Sequence, residues 1–378
     1  MKTTIYQAGK RAARKRIRYA VVGLGDIAQG AVLPSFENAT ENSELVALIS
    51  DDPLKLQKLG RYYEVNDRLS YRDYDAYLRS GSVDAVYIAL PNSMHRDFAV
   101  RAAEAGVHVL CEKPLALTED ECHEIIEACA KARVKLMTAY RLHFEHANLE
   151  SIKIVHSGRI GEPRIFQSLF TMQVKSGNIR LKKKLGGGTL YDIGIYCINA
   201  ARYIFRDEPT QVFALSEKSG DPRFREVDEM TSATLRFPRN RIAEFTTSFG
   251  AADSAVFTVV GTKGVLKLCQ AYEYSEKMEM EITVDGKSER REYALRDQFA
   301  SELLYFSECI LRHREPEPSG VEGLVDVHII RSLYESARLH IPVTLKRLTR
   351  RRRPTLRQEV YRRPSEAPPK VHAESPTR

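Results

Sequence analysis

The stretch RYAVVGLGDIA, residues 18–28, decides how the first third of this chain folds. Its first half is short and apolar, with the length of a buried strand. That run passes directly into Gly23-Leu24-Gly25-Asp26-Ile27-Ala28, a match to the pattern G-x-G-x-x-A. Glycines at those positions let the backbone turn tightly and approach a pyrophosphate seated at a helix N-terminus. A glycine-rich turn after one strand is a weak signal by itself. Its weight comes from the pattern of the next hundred residues.

Those residues alternate regularly. Apolar segments recur at LVALIS (45–50), DAVYIAL (84–90), VHVLC (107–111) and KLMTA (135–139). Amphipathic stretches separate them: PLKLQKLGRYY, RDYDAYLRS, HRDFAVRAAEAG and EDECHEIIEACAKA. Strands alternating with helices of this length make βαβ units and a parallel sheet covered on both faces. Such crossovers are right-handed, so residues 17–140 are expected to form a doubly wound α/β domain of the Rossmann type. Beyond about residue 150 the texture changes. PRIFQSLFTMQV, QVFALSEK, TSATLRF, RIAEFTTSF, AVFTVVG, VLKL and MEMEITV succeed one another, several joined by tight turns such as RFPRNR and GTKG. Consecutive strands of this kind predict an antiparallel sheet and an α+β second domain over 141–345. Two helical stretches close it, FASELLYFSECILR and GLVDVHIIRSLYESARL.

Two domains also suit a chain of 378 residues. The formal net charge of +8 is misleading, because it sits at the ends. Residues 1–18 hold seven Lys/Arg and no acid, and 346–378 hold eleven against three Glu, which leaves the body near −7. A basic folded face that grips nucleic acid is therefore not what the composition shows, and nucleic acid is not the expected partner, although the tail could touch nucleic acid or an acidic surface. The ends read as a basic N-terminal arm (1–16) and a basic tail (346–378), the tail solvated and largely disordered for want of apolar residues. No apolar run approaches the ~18 residues of a membrane helix. The start of the chain lacks the apolar segment of a signal peptide, so a cytoplasmic protein is expected. Six scattered cysteines without a CxxC predict reduced core residues and no metal site.

The chemistry should lie at the carboxyl ends of the parallel strands, where open α/β sheets bind ligands. If a dinucleotide binds, the end of the second strand selects which one. An acid there accepts from a ribose 2′-hydroxyl, whereas a 2′-phosphate needs donors. The sequence offers Ser50, then Asp51-Asp52, then Lys55 one helical turn on. Asp52 before Pro53 also suits a helix N-cap. The balance favours NADP, with NAD as the alternative.

A second candidate is VHVLCEKPLALT, residues 107–118. Thr118-Glu119-Asp120-Glu121 is a capping-box pattern that starts a helix. Glu112-Lys113-Pro114 therefore occupies the loop at a strand's carboxyl end. Pro114 biases Lys113 toward an extended backbone and so aims its side chain. The third candidate is LGGGTLYDIGIYCINAARYIF, residues 185–205. Asp192 and Tyr196 stand four apart, on one face of a helix expected to start near Thr189. A phenol serves as a base at neutral pH only when its pKa falls from ~10, which a lysine cation promotes. Spacing alone leaves open a plainer pairing, an N-terminal aspartate favoured by the helix dipole plus a core tyrosine.

Taken together, GLGDIA, AVYIALPNSMH (85–95), HVLCEKPLA (108–116) and GGGTLYDIGIYCINAARYI (186–204) resemble the Gfo/Idh/MocA oxidoreductases over residues 17–345. Tyr196 stands where many members carry histidine, which points to the glucose–fructose oxidoreductase branch. The resemblance implies a Rossmann domain followed by an α/β domain on a large open, mostly antiparallel sheet that makes a homodimer or homotetramer. It implies hydride transfer between NADP and a sugar, an aldose or a related polyol or keto-sugar. Lys113 and Tyr196 would carry the catalysis, and Asp192 would orient the sugar hydroxyl. Gly23, Gly25 and Ile27 would meet the pyrophosphate, and Ser50 and Lys55 the 2′-phosphate. Tyr71, Leu90, Asn92 and His95 would lie along the cofactor, with Glu112, Arg141 and Arg180 near the nicotinamide. Departures from that branch are the missing export signal, Ile179 in place of a tryptophan, and Asp51 in place of a small residue. The rival class is a catalytically silent dinucleotide sensor of the same fold. Such a sensor has no need of the intact Lys113, Asp192 and Tyr196 set.

Overall fold

A computed structural model describes residues 16–346 and 353–377. The first fifteen residues of the basic arm and residues 347–352 lie outside the described part. The parallel sheet has six strands: β1 (Ile17–Val22), β2 (Ser43–Ile49), β3 (Asp67–Leu69), β4 (Ala85–Ile88), β5 (His108–Glu112) and β6 (Leu136–Ala139). Their order is β3-β2-β1-β4-β5-β6, so the chain winds outward in both directions from β1 and β4. Helices α1 (Pro53–Tyr62), α2 (Tyr74–Arg79), α3 (His95–Glu104) and α4 (Glu119–Ala132) make the crossovers. Apolar cores cover both faces of the sheet. The anticipated capping box holds: Thr118 accepts from the Glu121 N–H at 3.2 Å, and Glu121 accepts from the Thr118 N–H at 3.1 Å. β3 escaped the sequence pattern because it is a three-residue polar strand at the sheet edge, with no apolar alternation to read.

After the helix α5 (His146–His156), β7 (Pro163–Thr171) enters the second sheet. Helix α6 (Ile195–Phe205) comes next, then β8 (Gln211–Glu217), β9 (Met230–Phe237), β10 (Arg241–Ser248), β11 (Ser254–Gly261), β12 (Gly264–Cys269), β13 (Met278–Val284) and β14 (Lys287–Tyr293). Helices α7 (Gln298–Leu311) and α8 (Gly320–Leu339) and a short strand β15 (Val343–Thr344) complete it. The nine strands run β14-β13-β12-β11-β7-β10-β9-β8-β15. All these pairs are antiparallel except β7 with β10. One face is sealed by α5, α6 and α8 over a single apolar core. The opposite face leaves Ile165, Leu169, Leu215, Met230 and Ile242 exposed. Ile165 and Ile242 are direct cross-strand partners there.

Two expectations need correction. The segment assigned to the second domain does not stay there. Phe299, Leu303, Phe306 and Ile310 of α7 fill the Rossmann core beside Tyr19, Leu110 and Met137. Tyr19 and Ser307 share a hydrogen bond of 2.8 Å. An amphipathic helix shows in sequence which face it buries but not which core receives it. The tail is also not free of structure: Val360 and Val371 pack on the Rossmann core, while Arg353 pairs with Glu208 and Thr377 bridges to Val174 in the second domain. Val371 is 9% exposed, and its peptide is clamped by the Gln29 carboxamide at 2.7 and 2.9 Å. Arg362 reaches Glu41, and Ser301 donates to the Val360 carbonyl. A poverty of apolar residues forbids an independent core, yet a few of them (Leu356, Val360, Val371), with backbone and charged groups, suffice to dock a chain on existing ones.

Candidate functional site

The carboxyl ends of β1, β2, β4 and β5 open into a cleft of about 600 Å³ between the Rossmann domain and the second sheet. Fourteen of the fifteen candidate residues line it: Gly23, Gly25, Ile27, Ser50, Lys55, Tyr71, Leu90, Asn92, Glu112, Lys113, Arg141, Arg180, Asp192 and Tyr196. His95 does not. Its imidazole is wholly buried, with its ring nitrogens 2.8 Å from the Pro114 carbonyl and 2.9 Å from that of Leu90. Burial pushes its pKa down. It braces two cleft loops from behind, and its place at the start of α3 buries it against the Lys113 loop.

At one end of the cleft, Gly23 adopts φ +91°, and a Cβ there would stand 2.6 Å from the Ala89 carbonyl oxygen. Only glycine fits this turn. At Gly25 a Cβ would meet nothing within 4 Å, so the peptide borders open space. A dinucleotide pyrophosphate needs a bare backbone edge of this kind. Further along, the two acids after β2 are both occupied. Asp52 caps α1, accepting from the N–H groups of Leu54 and Lys55 at 3.0 and 3.1 Å. Asp51 accepts from the Tyr71 N–H at 2.8 Å. Ser50 and Lys55, and neither aspartate, face the cleft.

The other end is built from charges bound to one another. The Lys113 ammonium donates to the Asp192 carbonyl at 2.8 Å and lies 3.5 Å from its carboxylate. Arg180 donates to the same carboxylate at 2.6 Å. Burial opposes ionisation of Asp192, but Arg180 and then Lys113 outweigh it and hold its carboxyl below the usual range. The Tyr196 ring lies between cations: Lys113 Nζ is 4.8 Å and the Arg141 guanidinium 5.0 Å from its centroid. Arg141 is buried, donates to Gln298 and to the Tyr272 carbonyl, and reaches the Tyr196 phenol. Behind Lys113, Tyr87 donates to Glu112 at 2.8 Å. Burial pushes Glu112 up despite Lys113, and burial followed by Glu112 pushes neighbouring Glu302 well up.

The helix bearing Asp192 and Tyr196 differs from expectation at its start. Leu190–Gly194 forms a widened π-helical turn before α6 begins at Ile195. The triple glycine preceding it approaches protein. A Cβ at Gly187 would lie 2.3 Å from the Arg180 carbonyl oxygen, so this glycine lets the Arg180 loop close against the Asp192 turn. Asn92 donates to the Gly186 carbonyl at 2.8 Å and ties the domains together. His143 is buried against Glu317 and Asn199, and no group of three metal-ligating side chains occurs among the described residues. All six cysteines are free.

Sequence reading missed the wall contributed by the second sheet. Tyr272, Glu273 and Tyr274 line the cleft, and Tyr274 stacks on Arg141 at 5.3 Å. The stretch AYEYSE (271–276) has no periodicity that would mark it. Lys370, Ser375, Pro376 and Thr377 of the tail also line the cleft.

This geometry is that of a two-domain α/β protein whose glycine turn opens on a cleft between the Rossmann sheet and the second sheet. Family models describing an oxidoreductase family with an NAD-binding Rossmann fold and a GFO/IDH/MocA C-terminal domain match residues 17–140 and 149–267. The chain belongs to the Gfo/Idh/MocA oxidoreductases. It is 30% identical to the D-xylose 1-dehydrogenase [NADP(+)] of Haloarcula marismortui, over 87% of this chain and 93% of that protein. Among solved structures it is similar to the aldose-aldose oxidoreductase of Caulobacter crescentus complexed with glycerol. That match has 38% identity and a TM-score of 0.84, over 88% of this chain and 100% of the other. A 3-ketoreductase from Actinomadura kijaniata in complex with NADP is 26% identical with a TM-score of 0.79, over 85% and 98%. No helix among the described residues is long and apolar enough to cross a membrane.

Proposed function

We propose that this protein is an NADP(H)-dependent sugar oxidoreductase, acting on an aldose or a related polyol or keto-sugar. The observation that carries the reading is the Lys113–Asp192–Arg180 cluster beside Tyr196, facing the same cleft as the glycine turn and Ser50–Lys55. The residues present fit the cofactor. The Gly25 edge is open, Ser50 and Lys55 are available to a 2′-phosphate, and both nearby acids are spoken for. When bound, the nicotinamide supplies or accepts the hydride.

The chain's own residues manage position and proton. In reduction, the Tyr196 hydroxyl gives its proton to the substrate oxygen, and in oxidation it takes that proton back. Lys113 and Arg141 favour the negative charge that proton transfer leaves on the phenol oxygen. An ammonium has three donors, so Lys113 can hold Asp192 and still donate to the substrate oxygen. Asp192, fixed from two sides, accepts from a sugar hydroxyl and sets its orientation. The D-xylose 1-dehydrogenase and aldose-aldose oxidoreductase among the relatives support a sugar substrate. The exposed apolar row Ile165, Leu169, Ile242 on the outer sheet face suits burial in a homodimer or homotetramer. The deciding experiment is the spectrum of the purified, undialysed protein before and after adding candidate aldoses. The near-ultraviolet band of reduced nicotinamide should grow with at least one sugar, and its absence with every aldose, polyol and keto-sugar tried would sink the reading.

A further inference from the structure

The last described residues of the tail cross the mouth of the cleft. On the Rossmann side, Lys370 pairs with Asp26 inside the glycine turn, and its stem lies 3.4 Å from where a Cβ of Gly30 would be. The Gln29 carboxamide, itself wholly buried, holds both the N–H and the carbonyl of Val371. His372 then reaches the Asp52 carboxylate at 2.9 Å, beside the Ser50–Lys55 end. On the opposite side the Lys175 N–H donates to the Pro376 carbonyl at 2.9 Å, and Thr377 bridges to Val174 of the second domain. The tail is thus anchored at both rims, and Lys370 and Thr377 face the space between them.

The charges explain why a strap belongs there. Asp26 puts a carboxylate into the turn that should receive a pyrophosphate, and like charges at that range repel. Lys370 offsets Asp26 and brings a cation to the place where an anion would sit.

Resting on the cofactor reading above, we propose that residues 370–377 complete the dinucleotide site as a strap over the cleft, with Lys370 a ligand of the pyrophosphate. A bound dinucleotide lies beneath the strap and leaves only when the strap's contacts open, so release is slow.

The test monitors the fluorescence of NADPH as it leaves the full chain, a chain truncated after Pro369, and K370A, with no sugar present. Truncation should speed release at least tenfold, and K370A should speed it roughly tenfold, the scale of one charge-assisted contact. In parallel, tryptic cleavage after Lys370 should slow when NADP is bound, because the peptide is pinned between cofactor and protein. Release at the full-chain rate from K370A and from a folded truncated chain would overturn the strap and leave the cofactor reading intact. So would cleavage after Lys370 that is indifferent to NADP. If truncation prevents folding, the K370A release rate and the cleavage comparison decide. Failure of the full chain to bind NADPH at all would overturn the cofactor reading and the strap with it.

Discussion

The two ends of the cleft are built on opposite plans. At the Ser50–Lys55 end the acids are engaged by backbone N–H groups as a helix cap and a loop brace, and the groups facing the cleft are a hydroxyl and a lysine. At the Tyr196 end, charged groups are packed against each other and partly removed from water before any ligand arrives. The first arrangement selects by what it leaves available. The second is preorganised: its dipoles and charges are already fixed where a proton must move, so little reorganisation accompanies reaction. Substitutions at the two ends should therefore fail differently, one in affinity and the other in rate.

The largest effect is expected from Tyr196→Phe. General acid–base assistance contributes ~10²–10⁴-fold, so turnover should fall on that scale while NADP affinity stays near its original value. Lys113→Ala should also lose rate, and the double variant should lose far less than the product of the two, because the side chains act as one unit. Turnover measured around that double-mutant cycle, with cofactor affinity in parallel, checks both. A Tyr196→Phe protein with near-normal turnover on its best sugar would return the site to a dinucleotide sensor.

Asp192→Asn comes next. It removes the charge shared by Lys113 and Arg180 but keeps the shape, so both cations remain with weakened partners. The expected cost is about 1–3 kcal/mol of stability together with a rise in KM for sugar. The pH dependence gives an independent check. Asp192 has its folded pKa held below the ordinary carboxylate value, so the stability it contributes is complete above the unfolded pKa of ~4. It is lost as pH falls through the lower folded value. Denaturant midpoints should therefore converge between native and Asp192→Asn proteins at the acid end and separate toward neutrality. Parallel curves would mean that the ion cluster does not stabilise the fold.

How much of this was legible depended on whether a residue's role is local. The tight turn at Gly23 and the Thr118 capping box follow from backbone geometry within a few residues, and the structure has them as read. Lys113 and Tyr196 come from opposite domains, and their meeting was inferred from the family resemblance, not from spacing. His95 was misplaced because the same histidine suits either a cleft wall or a buried brace, and only packing against Pro114 separates them. The tail and α7 were misassigned for a related reason, since composition describes a segment and not the surface that awaits it. Tyr272–Tyr274 carried no signal at all, being a loop whose aromatics matter only because Arg141 lies underneath.

The smallest effect, and the one that tests the other plan, is Lys55→Ala. Lys55 is half-buried at the start of α1, where its N–H is already used by Asp52 and its side chain faces the cleft. Removing the ammonium leaves the cap intact, so the fold should not notice. A single lysine–phosphate contact open to solvent on one side is worth roughly tenfold in affinity, because water screens part of the charge. NADP should therefore bind about tenfold more weakly, while NAD, which has no 2′-phosphate to lose, should bind unchanged. Turnover at saturating NADP should stay within about twofold, since no group at the Tyr196 end moves. Isothermal titration with both dinucleotides, followed by initial rates, separates these terms. Equal losses for NADP and NAD would show that Lys55 supports the cleft and does not read the phosphate. A fall in saturated turnover would show that the two ends are coupled, against the independence drawn from their separate hydrogen-bond networks.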